Sequence, residues 1–139
     1  MVSAKDYFVA LWETAVQPDE LLVEIRVPTT SMNANSCYEK FAQPASRYPY
    51  VGCAVAVDKS GGTCSDVRVG FSGVGHVGFR DSNVEGALKG QALSAASIKA
   101  AADTATNGVD VLSDWSVSED YRRAMSRVYA RRALTKVGL

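Results

Sequence analysis

The chain lacks an excess of either charge. Its 139 residues include 15 basic and 15 acidic side chains, so the formal net charge at pH 7 is zero. A protein without net positive charge exerts no long-range attraction on nucleic acid or on an anionic membrane. We therefore expect no nucleic-acid partner, and partners must be recognised through shape and local chemistry.

Long hydrophobic runs are also missing. No apolar stretch approaches the roughly 20 residues that a membrane-spanning helix needs. Residues 1–15 have neither the basic start nor the apolar middle of a signal peptide. These absences predict a cytoplasmic protein that is not inserted in a membrane.

Cysteine and histidine are scarce. The three cysteines, Cys37, Cys53 and Cys64, show no Cys-x-x-Cys spacing, and the single histidine, His76, lies among glycines. Metal sites need clustered ligands, and a hydrolytic nucleophile needs a nearby base. We expect buried thiols and a loop histidine, with no metal site and no self-contained hydrolase.

The most informative stretch that is present predicts two strands joined by a polar loop. The strands cover Cys37–Gln43 and Tyr50–Val57, and the proline-containing loop between them presents Tyr48 outward. The second strand carries valines and a cysteine on one face. Gly52, Ala54 and Ala56 form the other face, and such small residues predict close approach of a helix.

The rest of the chain predicts one further strand and then helices. A turn at Asp58–Gly62 leads to a strand over Thr63–Phe71. The predicted helices are a short one capped by Ser82 or Asn83 and ending at Leu88, one over Leu93–Thr106, and a final one with a capping box at Ser116–Glu119. The length suits one domain with a core, and strands followed by helices predict an α+β fold. We expect a three-stranded antiparallel meander followed by three helices packed on one face.

The leading segment predicts a separate helix and strand. The helix covers about Ala4–Ala15, and the strand covers Leu21–Val27. Thr29–Ser36, rich in Thr, Ser and Asn, is the predicted linker to the rest of the chain.

Several motifs resemble one known family. Tyr38-Glu39-Lys40-Phe41, followed by Tyr48, and the later motifs at 118–123 and 131–134 resemble the C-terminal domain of the flavoprotein subunit of molybdenum hydroxylases. That family includes aerobic carbon monoxide dehydrogenase and xanthine dehydrogenase. Residues 6–8 and 20–25 resemble the end of its FAD-binding domain. The resemblance implies that residues 1–29 are the tail of an FAD-binding domain whose main body is absent, and that residues 30–139 are the CO dehydrogenase flavoprotein C-terminal-like domain.

The resemblance also implies a function. In this family a large subunit holds molybdenum, a small subunit holds iron–sulfur clusters, and the flavoprotein subunit passes electrons through FAD. The chain would cap FAD and contact the FAD-binding domain and both partner subunits, and it would be inactive alone. FAD would be held by the complete subunit and not by this chain alone. By the same resemblance, Lys40 would lie near the flavin and Tyr48 against its isoalloxazine ring. An aromatic ring can stack on a flat heterocycle, and an ammonium can stabilise negative charge on it.

Two alternatives accompany this interpretation. The domain could be an assembly module that keeps the fold without touching flavin. The basic final helix could contact nucleic acid, although a solvated face that meets a neighbouring domain is favoured because no aromatic residues alternate with its basic ones. Apolar side chains in residues 1–29 also predict self-association through that segment.

Overall fold

The computed structural model describes residues 1–29 and 35–139. Its elements in chain order are α1 (Ala4–Tyr7), β1 (Phe8–Ala10), β2 (Glu13–Thr14), β3 (Asn35–Ala42), β4 (Pro49–Ser60), β5 (Thr63–Ser72), β6 (Phe79–Arg80), α2 (Ser82–Leu88), α3 (Ala95–Ala102) and α4 (Glu119–Gly138). The predicted α+β class is confirmed.

A four-stranded antiparallel sheet in the order β3-β4-β5-β6 forms the centre of the domain. The predicted three-stranded meander is confirmed as β3 to β5, and β6 adds two residues that pair with Gly70 and Phe71. Gly61 and Gly62, with φ of 57° and 80°, make the turn between β4 and β5. Left-handed backbone favours glycine, so these two residues permit a tighter turn than the predicted Asp58–Gly62.

The core lies between one face of this sheet and the helices. Strand β4 contributes four fully or nearly fully buried side chains to it, Val51, Cys53, Val55 and Val57, and the helices add Leu88, Ile98 and Leu134. Helix α4 packs on β3 and β4, α2 packs on β5, and α3 packs on α2 and α4. The prediction of three helices on one sheet face is confirmed.

The face of small residues on β4 is not where a helix packs, so that prediction is wrong. Ala54 is exposed, and the helices cover the opposite face of the strand. Burying valine removes more apolar area from water than burying alanine or glycine, which favours helix packing on the valine face. The sheet therefore has one helix-covered face and one open face.

The helix boundaries differ from the predicted ones by a few residues. Asp81 caps α2 by accepting from the backbone N–H groups of Asn83 and Val84, and it also accepts from Thr106 N at 2.7 Å. Helix α3 begins after a Ser94 capping box and ends at Ala102, earlier than predicted. Ser118, rather than Ser116, caps α4. Each observed cap lies within two residues of a predicted cap or helix start, a difference that is usual for helix boundaries.

The helix predicted over 4–15 is wrong. Only α1 is helical, and the chain then forms a small hairpin of β1 and β2. Ser3 makes no capping hydrogen bond, and a single turn of helix has little stability of its own. Phe8 and Val9 also favour extended backbone.

The strand predicted over Leu21–Val27 is also wrong, because those residues have no regular structure. The described residues of the leading segment therefore comprise a short helix and a hairpin in place of the expected helix and strand. The predicted linker at 29–36 lies mostly outside the described residues. None of the described helices is long and apolar enough to cross a membrane.

Candidate functional site

The loop of residues 43–48, named here the Tyr48 loop, joins β3 to β4 and is held by its own hydrogen bonds. Gln43 N donates to Tyr48 O at 2.8 Å, and Arg47 N donates to Gln43 O at 2.9 Å. The Gln43 side-chain oxygen accepts from the backbone N and the hydroxyl of Ser46. Backbone groups that are satisfied within a short loop give it a defined shape.

Tyr48 lies at the end of this loop with 76% of its surface exposed. The preceding residue, Arg47, has φ of 61°, a left-handed conformation that is unusual for a residue with a side chain. Backbone of this kind persists only where the surrounding contacts fix it. Tyr48 is therefore an accessible ring on a constrained loop.

Lys40 lies on the open face of the sheet. Alternation along β3 turns Cys37, Glu39 and Phe41 towards α4, which leaves Tyr38 and Lys40 on the other side. Lys40 Nζ donates to Arg47 O at 3.0 Å. The structure therefore brings the two predicted site residues together, because the ammonium binds the carbonyl that directly precedes Tyr48.

Aromatic side chains support both ends of the Tyr48 loop from the helix side. Phe41, at the end of β3, has its ring centroid 5.5 Å from that of Tyr50, at the start of β4. Two rings from α4, Tyr121 and Tyr129, lie 6.0 and 6.1 Å from Phe41. These separations are within the range in which aromatic pairs attract.

Tyr38 lies beside Lys40 and extends across β4. Its hydroxyl is 3.4 Å from Ser72 Oγ on β5, and half of its surface is exposed. A side chain at Gly52 would overlap both the Tyr38 hydroxyl and Ser72 Oγ. Gly52 therefore gives Tyr38 room to lie flat on the open face, so the small-residue face accommodates an aromatic ring from its own sheet.

The sequence interpretation missed Arg122, which is buried in the first turn of α4. Its Nη1 donates to Tyr50 O at 2.8 Å and to Gly73 O at 2.7 Å, and its Nη2 pairs with Asp114. Its Nε has no hydrogen-bond partner among the described residues. A cation in the first turn of a helix is disfavoured by the helix dipole, so this position was the available signal for a special role.

Asp114 is the partly exposed acidic partner of the buried Arg122. The Ser116 hydroxyl and the backbone N–H groups of Ser116 and Val117 donate to it, and together with Arg122 they lower the pKa of Asp114 to about 2. Hydrogen bonds and a nearby cation both favour the charged carboxylate. Asp114 is thus ionised throughout the neutral range.

The cysteines and the histidine lie outside the Tyr48 loop. Cys53 and Cys64 are buried as predicted, and burial raises the pKa of Cys53 to about 12. Cys37 is half-buried and donates to Ala133 O at 3.4 Å. His76 lies in a loop, 3.6 Å from Asp110. Across residues 1–29 and 35–139, no three His, Cys, Asp or Glu side chains are grouped as metal ligands would be.

Comparison with known proteins places this fold in a class of flavoprotein domains. Residues 36–137 match the family of the CO dehydrogenase flavoprotein C-terminal domain, and the chain belongs to that family. The resemblance inferred from the motifs around Lys40 and in the last helix is confirmed.

Its relatives include subunits of several dehydrogenases. The carbon monoxide dehydrogenase medium chain of Hydrogenophaga pseudoflava is 32% identical over 133 residues, which cover 96% of this chain and 46% of the relative. The 6-hydroxypseudooxynicotine dehydrogenase complex subunit alpha of Paenarthrobacter nicotinovorans is 29% identical, over 97% of this chain and 46% of the relative. The chain spans about half the length of the curated relatives it matches.

Solved structures show the same similarity. Carbon monoxide dehydrogenase from Hydrogenophaga pseudoflava matches with a TM-score of 0.87 and 32% identity, over 95% of this chain and 46% of that one. A Cu,Mo-CO dehydrogenase in a cyanide-inactivated form matches with a TM-score of 0.85 and 29% identity, over 99% and 48%. Quinoline 2-oxidoreductase from Pseudomonas putida 86, at 24% identity and a TM-score of 0.86 over 99% and 47%, shares the fold.

Proposed function

We propose that residues 35–139 cap the FAD of a molybdenum hydroxylase-type oxidoreductase, as a component that is inactive alone. The single observation that carries this proposal is the hydrogen bond from Lys40 Nζ to Arg47 O, at 3.0 Å. It joins an ammonium to the loop that carries the exposed Tyr48 ring. The family membership and the dehydrogenase subunits among the relatives support the same role.

The residues present fit a flavin. An isoalloxazine ring is flat, largely apolar on its faces and polar at its edges, so it suits an aromatic face with a cation at one side. Tyr48 offers that face with 76% of its surface accessible, and Lys40 offers the cation. When bound, the flavin supplies the redox chemistry. Tyr48 would cover the ring and limit water access, and Lys40 would hold positive charge near its edge.

The proposed partners follow from the leading segment and from the family. Residues 1–29 would be the tail of an FAD-binding domain, and its exposed apolar side chains would contact the body of that domain. The side chains concerned are Phe8, Leu11, Trp12, Leu21, Val23, Ile25 and Val27, each more than half exposed. In the whole enzyme, the molybdenum-bearing large subunit and the iron–sulfur small subunit would be the further partners, and the cytoplasm the expected location.

A titration of the purified chain with lumiflavin and with FAD, followed by flavin fluorescence, tests the flavin contact. Lumiflavin carries the isoalloxazine ring without the pyrophosphate, so it reports on the ring contact alone. We expect weak but saturable quenching by both ligands, because the proposed contact is with the flavin ring and not with the pyrophosphate, and FAD is held firmly only in the complete subunit. Tyr48→Ala should weaken binding by roughly tenfold, because it removes the stacking surface. Tyr48→Phe keeps the ring and should bind as the wild type does.

A matched lysine pair tests the charge. Lys40→Met should weaken binding, whereas Lys99→Met, which removes another exposed ammonium from α3, should not. The absence of quenching by both flavins, or equal quenching by Tyr48→Ala and wild type, would contradict the flavin contact. That result would favour the assembly-module alternative.

A further inference from the structure

Arg122 connects three segments that meet at one end of the sheet. Its guanidinium donates to Tyr50 O at the start of β4, to Gly73 O just after β5, and to Asp114 in the loop before α4. The side chain is only 4% exposed. Arginine suits such a position because its planar guanidinium presents several donors in a fixed geometry.

Gly73 makes a second close contact with the same part of β4. Its φ is 72°, and a Cβ at this position would overlap Pro49 O and crowd the Tyr50 carbonyl. The Gly73 backbone therefore lies close against the Pro49 carbonyl, and the guanidinium binds the next carbonyl along the chain, that of Tyr50. Pro49 and Tyr50 are the two residues that directly follow Tyr48.

We infer that Arg122 is a positioning residue for the Tyr48 loop. By holding Tyr50 O and Gly73 O together, it fixes the point at which the loop joins β4, and this sets where the Tyr48 ring lies relative to Lys40. Its guanidinium carbon also lies 5.9 Å from the centroid of the Tyr50 ring. The inference deepens the proposed function, on which its consequence for flavin binding rests.

The chain contains a matched control for this role. Arg123, the next residue of α4, also donates to two backbone carbonyls, Thr106 O at 2.7 Å and Val109 O at 2.8 Å. Those carbonyls lie after α3, away from the Tyr48 loop in the chain. Arg122→Met and Arg123→Met therefore remove the same chemistry from two different places.

Amide hydrogen exchange on the full chain, read at Gln43 and Arg47, tests the inference without any flavin. These two amides donate the backbone hydrogen bonds that close the Tyr48 loop. Arg122→Met should speed their exchange by about tenfold, the factor expected when a hydrogen bond to a charged group is lost. Arg123→Met should leave them unchanged, the amides of β5 should be unaffected, and Arg122→Lys should restore part of the protection.

Flavin affinity gives the second readout. Lumiflavin should bind Arg122→Met about tenfold more weakly than Arg123→Met, if loop position governs the ring contact. If the wild-type chain binds no lumiflavin, the proposed function fails, but the exchange measurement still decides the positioning role. A uniform increase in amide exchange across the sheet in Arg122→Met would overturn the inference. Equal effects of the two methionine variants on exchange at Gln43 and Arg47 would also overturn it.

Gly73→Ala provides an independent variant if Arg122→Met does not fold. The added methyl group displaces the Pro49 peptide while the guanidinium remains. We expect the same local increase in exchange at Gln43 and Arg47. Unchanged exchange at both amides would show that the start of β4 does not set the loop, which would overturn the positioning role.

Discussion

Residues 1–29 and residues 35–139 have similar apolar patterns, but the apolar side chains are exposed in the first part and buried in the second. Among the described residues, those of the core all lie in 35–139, and they include Val51, Val69 and Leu134. Residues 1–29 contain no buried side chain, although their sequence is rich in apolar residues. Leu21, Val23 and Ile25, for example, are each more than three-quarters exposed. An alternating apolar pattern thus predicts a surface that can be buried, but it does not identify what buries it.

The contrast predicts a large difference in stability effects. Leu134→Ala, at a fully buried position of α4, should reduce the free energy of unfolding by about 2–5 kcal/mol, because it removes buried methyl groups and leaves a cavity. Deletion of residues 1–29 should change it far less, since no core side chain is lost. Urea denaturation of the wild-type chain, the Leu134→Ala variant and the deletion variant measures both effects. A deletion as damaging as Leu134→Ala would mean that the segment belongs to the folded core.

The exposed side chains of the leading segment predict self-association in the isolated chain. Exposed apolar area of this extent favours contact between copies when no other partner covers it. Sedimentation should show an associated species for the full chain and a monomer for residues 30–139. Replacing Leu21, Val23 and Ile25 by serine should weaken association by at least about tenfold. A full chain that sediments as a monomer, unchanged by the deletion, would contradict this prediction.

Acid should reduce the stability of the domain formed by residues 35–139, through protonation of Asp114. The folded protein lowers the pKa of this carboxyl from its ordinary 3.8 to about 2, chiefly through hydrogen bonds from Ser116. A lowered folded pKa gives stability that is present above about pH 4 and is lost as the pH falls towards 2. Because the side chain is 41% exposed, we expect about 1 kcal/mol rather than the full value of the shift.

Asp114→Asn isolates that contribution. The variant should be less stable than the wild type at pH 6 and should approach it at pH 2, where the wild-type carboxyl becomes protonated. Unfolding free energies measured by urea denaturation across this range provide the comparison. A constant difference between the two proteins from pH 6 to pH 2 would show that ionisation of Asp114 is not the cause.

The smallest effect is expected at two exposed tryptophans, one in each part of the chain. Trp115 is 95% exposed in the loop before α4, and Trp12 is 97% exposed in the leading hairpin. Replacing either with alanine should change the free energy of unfolding by no more than about 0.5 kcal/mol, as for other surface substitutions. Thermal denaturation measures this. A larger loss of unfolding free energy for Trp115→Ala alone would show that Trp115 makes a stabilising contact within residues 35–139 that Trp12 lacks.

Local patterns predicted the parts of the fold in which one interaction dominates. The alternation of β4 and β5, the helical periodicity of α4 and the family motifs around Lys40 led to the correct class and topology. The sequence also placed Lys40 and Tyr48 on adjacent elements, so their proximity in the structure was foreseeable. Their contact with flavin remains a prediction.

Other features depended on competition between local and distant contacts. The predicted helix over 4–15 has a suitable apolar stripe, but no partner surface stabilises it among the described residues, and its second half forms a hairpin. Gly52, Ala54 and Ala56 were predicted to face a helix, but the valine face buried more area. Arg122 was grouped with the other basic residues of α4, because its contacts lie 49 and 72 residues earlier in the chain.

The sequence by itself determined the order of β3 to β5 and of the three helices that follow, the family, and the loop that presents Tyr48. These follow from periodicity, turn residues and short motifs, which act over a few neighbouring positions. Only the tertiary structure decided which sheet face is covered, how Arg122 holds the start of β4, and that the leading segment contributes nothing to the core. Those outcomes depend on which surfaces meet, and distant residues determine that through the area they bury and the donors they supply.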